Sequence, residues 1–370
     1  MKKWIAMITA AAMLAVLSAG CCGLFMNKAK AADSGGTEDG HFYPDDSNLG
    51  KSNLKIALLT SPSGTDDLAV NRGLRQGISD FTESDKTVKV KEFVEKTGKP
   101  EACLKMAGEL AAKYDVVVMS GEAFAGIGEV AKKYPDVNFI VFDAVPTDQK
   151  GEPAVAGNVT SFTYRDEEAG FLAGVAAALE SKSGKVAAVT AKDSGTVAAN
   201  GKLGFTCGVN YANKNYGTSV KIPVSDHEMT AGQLIADGCD ILFAASPLCV
   251  KEVLRAAKAA DGVRVIGSFI DLFPYGGSAK NNVVITSVYR TQGGDLMGEL
   301  LTVALENAKG ENKVLGAYDY SVNYYFDTER SILSDKTDEA LMKAFELLSA
   351  GKIVPASLSN GMAADAFTGL

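Results

Sequence analysis

Residues 64–71 read GTDDLAVN. They place two carboxylates and an amide, Asp66, Asp67 and Asn71, between the apolar run KIALL (55–59) and an amphipathic segment ending near Phe81. Two kinds of chemistry suit these residue types at a strand-to-helix handover. An Asp oxygen there accepts the unpaired N–H groups of the first helical turn, worth about 1 kcal/mol. Alternatively, it accepts hydrogen bonds from a polar ligand held at the carboxyl end of the strand. The local sequence leaves both open. Asp143 ends a second apolar run, NFIVFDA (138–144). A carboxylate there is costly unless it is paired or faces a cleft, so it is read as a site residue. Arg290 closes VVITSVYR (283–290) and suits a ligand contact or a salt bridge across a crossover. Phe269 and Asp271 stand at the end of RVIGSF (264–269), and Phe124 follows DVVVMS (115–120) as either core residue or ligand platform.

Catalytic patterns fail one by one. The first strand is followed by TSPSGTDD, whose single glycine argues against a dinucleotide site. GTVAANGKL (195–203) has five residues between its glycines where a phosphate-binding loop has four, and Leu203 where Ser or Thr should bind magnesium. Ser52 to Lys55 matches SxxK without the partner motifs, and no GxSxG occurs. Paired carboxylates such as Asp45 and Asp46 support acid–base work only if burial shifts them. The two histidines, His41 and His227, leave no material for His-dependent triads or His-rich metal sites. The six cysteines show no CxxC spacing, so neither zinc nor a disulfide framework is indicated. Cys239 and Cys249 suit the role of small buried hydrophobes. No cofactor is expected. With net charge −8, pI about 5.1 and no basic stripe, nucleic acid is not an expected partner. Lys132 and Lys133 read as a solvated helix face.

The elements that must position these residues follow a strand–helix alternation from residue 54 onward. Strand-like runs occur at 55–59, 88–94, 115–120, 138–144, 185–191, 219–224, 240–246, 264–269 and 283–289. Several are nearly all apolar, as central parallel strands covered on both faces require. Residues 166–181 form a helix with Ala169, Leu172, Ala173, Ala176 and Leu179 on one face. Its first turn holds Asp166, Glu167 and Glu168, which suits the positive end of the helix dipole. The expected class is α/β, with two doubly wound parallel-sheet lobes. Residues 157–171 and 281–295 are the expected crossovers. The lobe bounds are 54–160 with 266–290, and 161–265 with 291–370. Ligands of such sheets sit at strand carboxyl ends, here 60–67, 120–124, 143–148, 192–195, 246–248 and 269–273.

Residues 1–20 have a basic start, Lys2 and Lys3, then the apolar stretch Trp4 to Leu17, then small residues. That is a secretory signal, with an apolar stretch too short to span a bilayer. Leu17-Ser-Ala-Gly-Cys21 resembles a bacterial lipobox with Cys21 as the lipidated residue, except that Ser18 takes the place of Leu. Residues 21–53, rich in Gly, Ser, Asp and Asn, read as a flexible tether.

Several stretches in order resemble the basic membrane protein, or purine nucleoside receptor, family of bacterial substrate-binding lipoproteins. They are SGTDDLAVNRGLRQG (63–77), VAKKYPDVNFIVFDA (130–144), NVTSFTYRDEEAGFLAGVAAALESKSGKVAAV (158–189), ITSVYR (285–290) and LLSAGKIVP (347–355). The resemblance covers most of residues 54–356. It implies a periplasmic-binding fold of type I with a three-crossover hinge, and purine contacts from Asp66 and Asn71. Asp143 would be an acidic site residue, Phe124 an aromatic of the loop, and Arg290 would stand where a Lys contacts the ribose side. Asp67 is left as a cap. Three departures stand out: Val70 replaces a stacking Phe, Phe269 replaces a ribose-binding Asp with Asp271 two residues on, and residues 244–247 replace a glycine-rich loop. Losing one stacking face removes about 1–3 kcal/mol per base.

The expected function is an extracytoplasmic, lipid-anchored receptor at the cell membrane. It would pass a small polar ligand, a purine nucleoside or related compound, to an ABC transporter permease by lobe closure, without catalysis. A surface lipoprotein of the same fold with a signalling or altered-ligand role is the alternative. An enzyme on a doubly wound fold is the third.

Overall fold

The computed structural model describes residues 50–60, 62, 64–148, 150–154, 156–192, 195–224, 228–278, 280–327, 329–367 and 369. The signal segment 1–20, Cys21, His41 and most of the tether lie outside the described residues, as does His227. The last tether residues are pinned to the fold. Ser52 donates through its backbone N and its Oγ to Asp85 Oδ2 at 2.8 and 2.6 Å. The expected flexible segment therefore stops before residue 52, and the SxxK serine is a structural anchor.

Strands β1 (Lys55–Thr60), β2 (Lys89–Val94), β3 (Val116–Ser120), β4 (Asn138–Phe142), β5 (Val159–Tyr164) and β10 (Asn312–Leu315) make one sheet, in the order β10-β5-β4-β3-β1-β2. All of its pairings are parallel. Strands β6 (Val186–Val189), β7 (Ile241–Ala244), β8 (Arg264–Phe269), β9 (Val284–Arg290) and β11 (Val322–Tyr324) make the second, in the order β11-β9-β8-β7-β6. Only β11 runs antiparallel, against β9. Strand β3, VVVMS, apolar but for its last residue, is buried along its whole length, as a central parallel strand must be. β2 reads KVKEFV and is mostly exposed, the charged pattern of a protected sheet edge. In the first lobe Ala57, Leu59, Val117, Met119, Phe139 and Val141 share one core. They alternate at period two and so project from one face of their strands.

The chain passes from the first sheet to the second at 164–166, returns at 290–292 and crosses again at 315–322. The first two passages fall inside the two segments read as crossovers. The lobe bounds differ from expectation in two respects. β10, expected in the second lobe, pairs with β5 in the first sheet. Residues 266–290 carry β8 and β9, which hydrogen-bond in the second sheet. Run 219–224 is not a strand and makes one bridge, Lys185 to Lys221. Pro223 in its middle has no N–H to give a ladder.

The helices are α1 (Val70–Ser84), α2 (Pro100–Ala111), α3 (Ile127–Ala131), α4 (Asp166–Glu180), α5 (Gly195–Tyr216), α6 (Ala231–Ala236), α7 (Val250–Lys258), α8 (Gln292–Ala304) and α9 (Asp335–Ser349). α4 and α5 touch backbone to backbone. A Cβ added to Gly170 would run into Gly201 O, and one on Gly204 into Glu167 O. Gly170 on α4 and Gly204 on α5, just past the phosphate-loop-like stretch, let the two helices cross closely, whereas a Cβ on Gly201 would meet only Ala245 and Phe243 at ordinary distance.

Candidate functional site

Four strand ends bring their last residues together at the passages between the sheets. Asp143 follows β4, Tyr164 ends β5, Phe269 ends β8 and Arg290 ends β9. Arg290 is the centre, with 2% of its side chain exposed. Its Nη1 donates to Asp143 Oδ1 at 2.7 Å, and its Nε to Asp166 Oδ1 at 2.9 Å. Its Nη2 also donates to Asp166. The guanidinium carbon lies 4.8 Å from the ring centroid of Tyr164 and 4.9 Å from that of Phe269. Tyr164 donates its hydroxyl to Asp295 Oδ2 at 2.6 Å, which Thr291 Oγ1 also reaches at 2.9 Å.

This arrangement holds one cation with two carboxylates in a dry setting. Burial pushes the Asp166 carboxyl above its ordinary range, against the pull of Arg290 and with the help of Asp143. Burial opposes the guanidinium charge, but Asp143 and Asp166 outweigh it and hold the group above its ordinary value. The Tyr164 hydroxyl is pushed up by burial and then by the Asp295 charge.

Asp143 and Phe269 adopt left-handed backbone, with φ of +57° and +70°. For a bulky Phe that conformation is strained. Two contacts fix it: Gln292 Nε2 donates to the Phe269 carbonyl at 2.9 Å, and the Phe269 ring stacks on Arg290. Gln292 opens α8, so the strained residue is tied to the returning passage.

The opening loop divides its tasks. Asp67 is buried; its Oδ1 accepts from Ala69 N at 2.9 Å and Arg72 N at 3.1 Å, and its Oδ2 from Asn71 N at 3.0 Å. It caps α1. Burial pushes its carboxyl up, against those three N–H groups. Asn71 is buried and bridges the turn after β1 and the end of β3: its Nδ2 donates to Gly64 O at 3.0 Å and its Oδ1 accepts from Ser120 Oγ at 2.6 Å. Asp66 is exposed at the end of a 3-10 turn.

Two expected site residues serve structure. Phe124 is fully buried in the core of the first lobe and offers no free ring face. Apolar neighbours from α2 and α3 fill its surroundings. Asp271 Oδ1 accepts from Phe273 N at 2.9 Å and caps the short turn Phe273–Tyr275. Burial pushes this carboxyl up. The structure therefore gathers Asp143, Phe269 and Arg290, and places Asn71 with Ser120. Cys103, Cys207, Cys239 and Cys249 are buried free thiols; burial pushes Cys249 up to about 12.

Sequence reasoning missed Tyr164, Asp166, Gln292 and Asp295. A signal was present: Tyr164-Arg165-Asp166 and Tyr289-Arg290-Thr291 repeat a Tyr-Arg pair at the two strand-to-helix passages. Asp166 looked like a dipole acid, yet its side chain pairs with Arg290. A separate cavity of about 50 Å³ lies in the second lobe, lined by Ala187, Phe205, Ile222, Glu228 and Leu234. It admits a few waters and is far smaller than the ~300–1,000 Å³ of a small-molecule site.

Comparison with known proteins agrees with this architecture. The sequence pattern described as "ABC transporter substrate-binding protein PnrA-like" matches residues 54–357. The "ABC transporter nucleoside-binding protein BmpA" of Lactococcus lactis subsp. cremoris is 27% identical over 289 residues, 72% of this chain and 74% of that protein. The "CD4+ T-cell-stimulating antigen" of Listeria monocytogenes is 26% identical over 212 residues, 55% of this chain and 57% of that protein. A crystal structure of an ABC transporter solute-binding protein from Aeropyrum pernix K1 superposes with TM-score 0.66 at 17% identity. It covers 82% of this chain and 93% of that one. The shared fold is the type I periplasmic-binding architecture.

Proposed function

The chain belongs to the PnrA-like family of ABC transporter substrate-binding proteins, and on that footing we propose that it is a lipid-anchored receptor on the extracytoplasmic face of the membrane. It captures a purine nucleoside or a related polar compound between its lobes and presents it to a transporter permease. Cys21, outside the described residues, carries the anchor. No catalytic step is involved. The observation that carries this reading is the convergence of Asp143, Arg290 and Phe269 from the strand ends of both sheets. The nucleoside-binding relative supports the ligand class. Ligand contacts from both lobes favour the closed arrangement and so couple binding to closure.

The altered-ligand reading has its own support. Arg290 and Asp143 bond each other, and Phe269 stands where the family's acidic ribose contact is expected. A thermal-shift panel decides between them: nucleosides, free bases, sugars and amino acids against the purified protein. The proposal expects a rise in Tm with at least one purine nucleoside, as binding to the folded state requires. A rise with another class alone supports the altered-ligand reading and removes the nucleoside claim.

A further inference from the structure

Glu122 stands on the turn after β3, in the first lobe, and Thr196 on the first turn of α5, in the second. The two are 74 residues apart in sequence, yet Thr196 N and Thr196 Oγ1 donate to Glu122 Oε1 at 2.8 and 2.7 Å. Both residues are exposed, away from the buried Arg290 cluster. We infer that Glu122 latches the lobes: a carboxylate carried by one lobe caps the N-terminus of the 22-residue helix of the other.

Three observations support a shaped contact. First, a carboxylate at a long helix's N-terminus meets unpaired N–H groups and the positive end of the dipole. Second, Gly195 has φ +66° and lies so near that a Cβ would sit 2.8 Å from Glu122 Oε1. Only glycine serves there, because a side chain would be strained and would push the carboxylate away. Third, the Glu122 turn is held rigidly. Gly121 N donates to Phe142 O at 2.8 Å, Phe124 N donates to Gly121 O at 3.1 Å, and the Phe124 ring is sunk in the core. Phe124 thus acts through Glu122, as the anchor of the arm that carries the latch. Outside the buried Arg290 cluster, Arg72 of α1, 5.3 Å from the Tyr275 ring, is another contact between the lobes. It joins different elements, so the Glu122 contact is separable from it.

Glu122 is a positioning residue whose effect is read in lobe closure, with or without any ligand. The inference therefore stands independently of the nucleoside proposal. The test is small-angle X-ray scattering on the ligand-free protein, Glu122→Gln and Thr196→Val, at low and at high salt. A screened charge–dipole contact shifts the open–closed ratio about two- to five-fold. Both variants are expected to show a larger radius of gyration than the parent at low salt, with unchanged Tm. High salt should bring the parent to their value. Glu129→Gln, which removes a carboxylate paired with Lys132 inside the first lobe, should change nothing. Equal radii for the parent and both variants overturn the latch. So does an expansion that appears only together with a fall in Tm.

Discussion

Arg290 has two carboxylates and two aromatic rings that satisfy it and none that can release it cheaply. Removing the guanidinium leaves Asp143 and Asp166 buried without their cation, which costs about 3–5 kcal/mol when one partner of a buried pair is lost. Arg290→Met is therefore expected to lower the urea midpoint severely. Asp143→Asn should cost less, since Asp166 keeps the charge balanced. Equal midpoints for Arg290→Met and the parent would contradict this account. Asp67→Ala tests the smaller claim of a cap: a loss of about 0.5–2 kcal/mol in the same measurement. Much of this was legible from residue types alone. Asp143, Phe269 and Arg290 were singled out as strand-end residues, and the structure does gather them. Phe124 was not legible, because an aromatic after a strand suits a core and a ligand platform equally. Asp166 was misread for a related reason: an acid in a first turn has a sufficient local explanation, and its distant partner leaves no local trace.

Two elements meet at each place where stability depends on closeness. Ala is a better helix former than Gly by about 1 kcal/mol. Gly204→Ala should nevertheless destabilise, by about 1–3 kcal/mol, because its Cβ would strike the Glu167 backbone of α4. A higher Tm for this variant would refute the close crossing. The passages between sheets carry a second test. Glu168, in the first turn of α4, accepts from Ala317 N at 2.7 Å and so ties the first passage to the third. Burial pushes its carboxyl from 4.5 up to about 7, against Ala317 N–H and Arg165, with Glu167 and Asp319 adding to the rise. A folded value above the unfolded one means the folded state holds the proton longer. Its stabilising share is full below about 4.5 and is lost as pH rises through about 7. The urea midpoint is expected to fall between pH 5 and 8, and Glu168→Gln should flatten that slope. The long apolar strands were readable because period and composition agree. β10 and β11, of four and three residues, were not, since pairing with distant strands and not local pattern makes them strands. Residues 219–224 show the converse, a β-rich run that finds no ladder.

Across the whole of residues 46–370, three passages join two sheets whose carboxyl ends share one set of side chains. That geometry lets a ligand bridging both sheets select the closed arrangement. The two-sheet α/β class followed from the alternation of elements. The assignment of β8 and β9 to the second sheet did not, because lobe membership is set by hydrogen bonding between strands far apart in sequence. The third passage was implied by the resemblance, but its place was not read, its strands being short. The proposed ligand class rests on family membership; Asn71, the buried amide bonded to Gly64 and Ser120, is the purine contact that the resemblance implies. The most direct measurement is calorimetric titration of inosine, guanosine and adenosine into the protein and into Asn71→Ala. The account predicts micromolar or tighter binding of at least one nucleoside by the parent, and at least about ten-fold weaker binding by the variant, a loss of about 1.4 kcal/mol. Absence of binding by all three, or equal affinity in the variant, would contradict it.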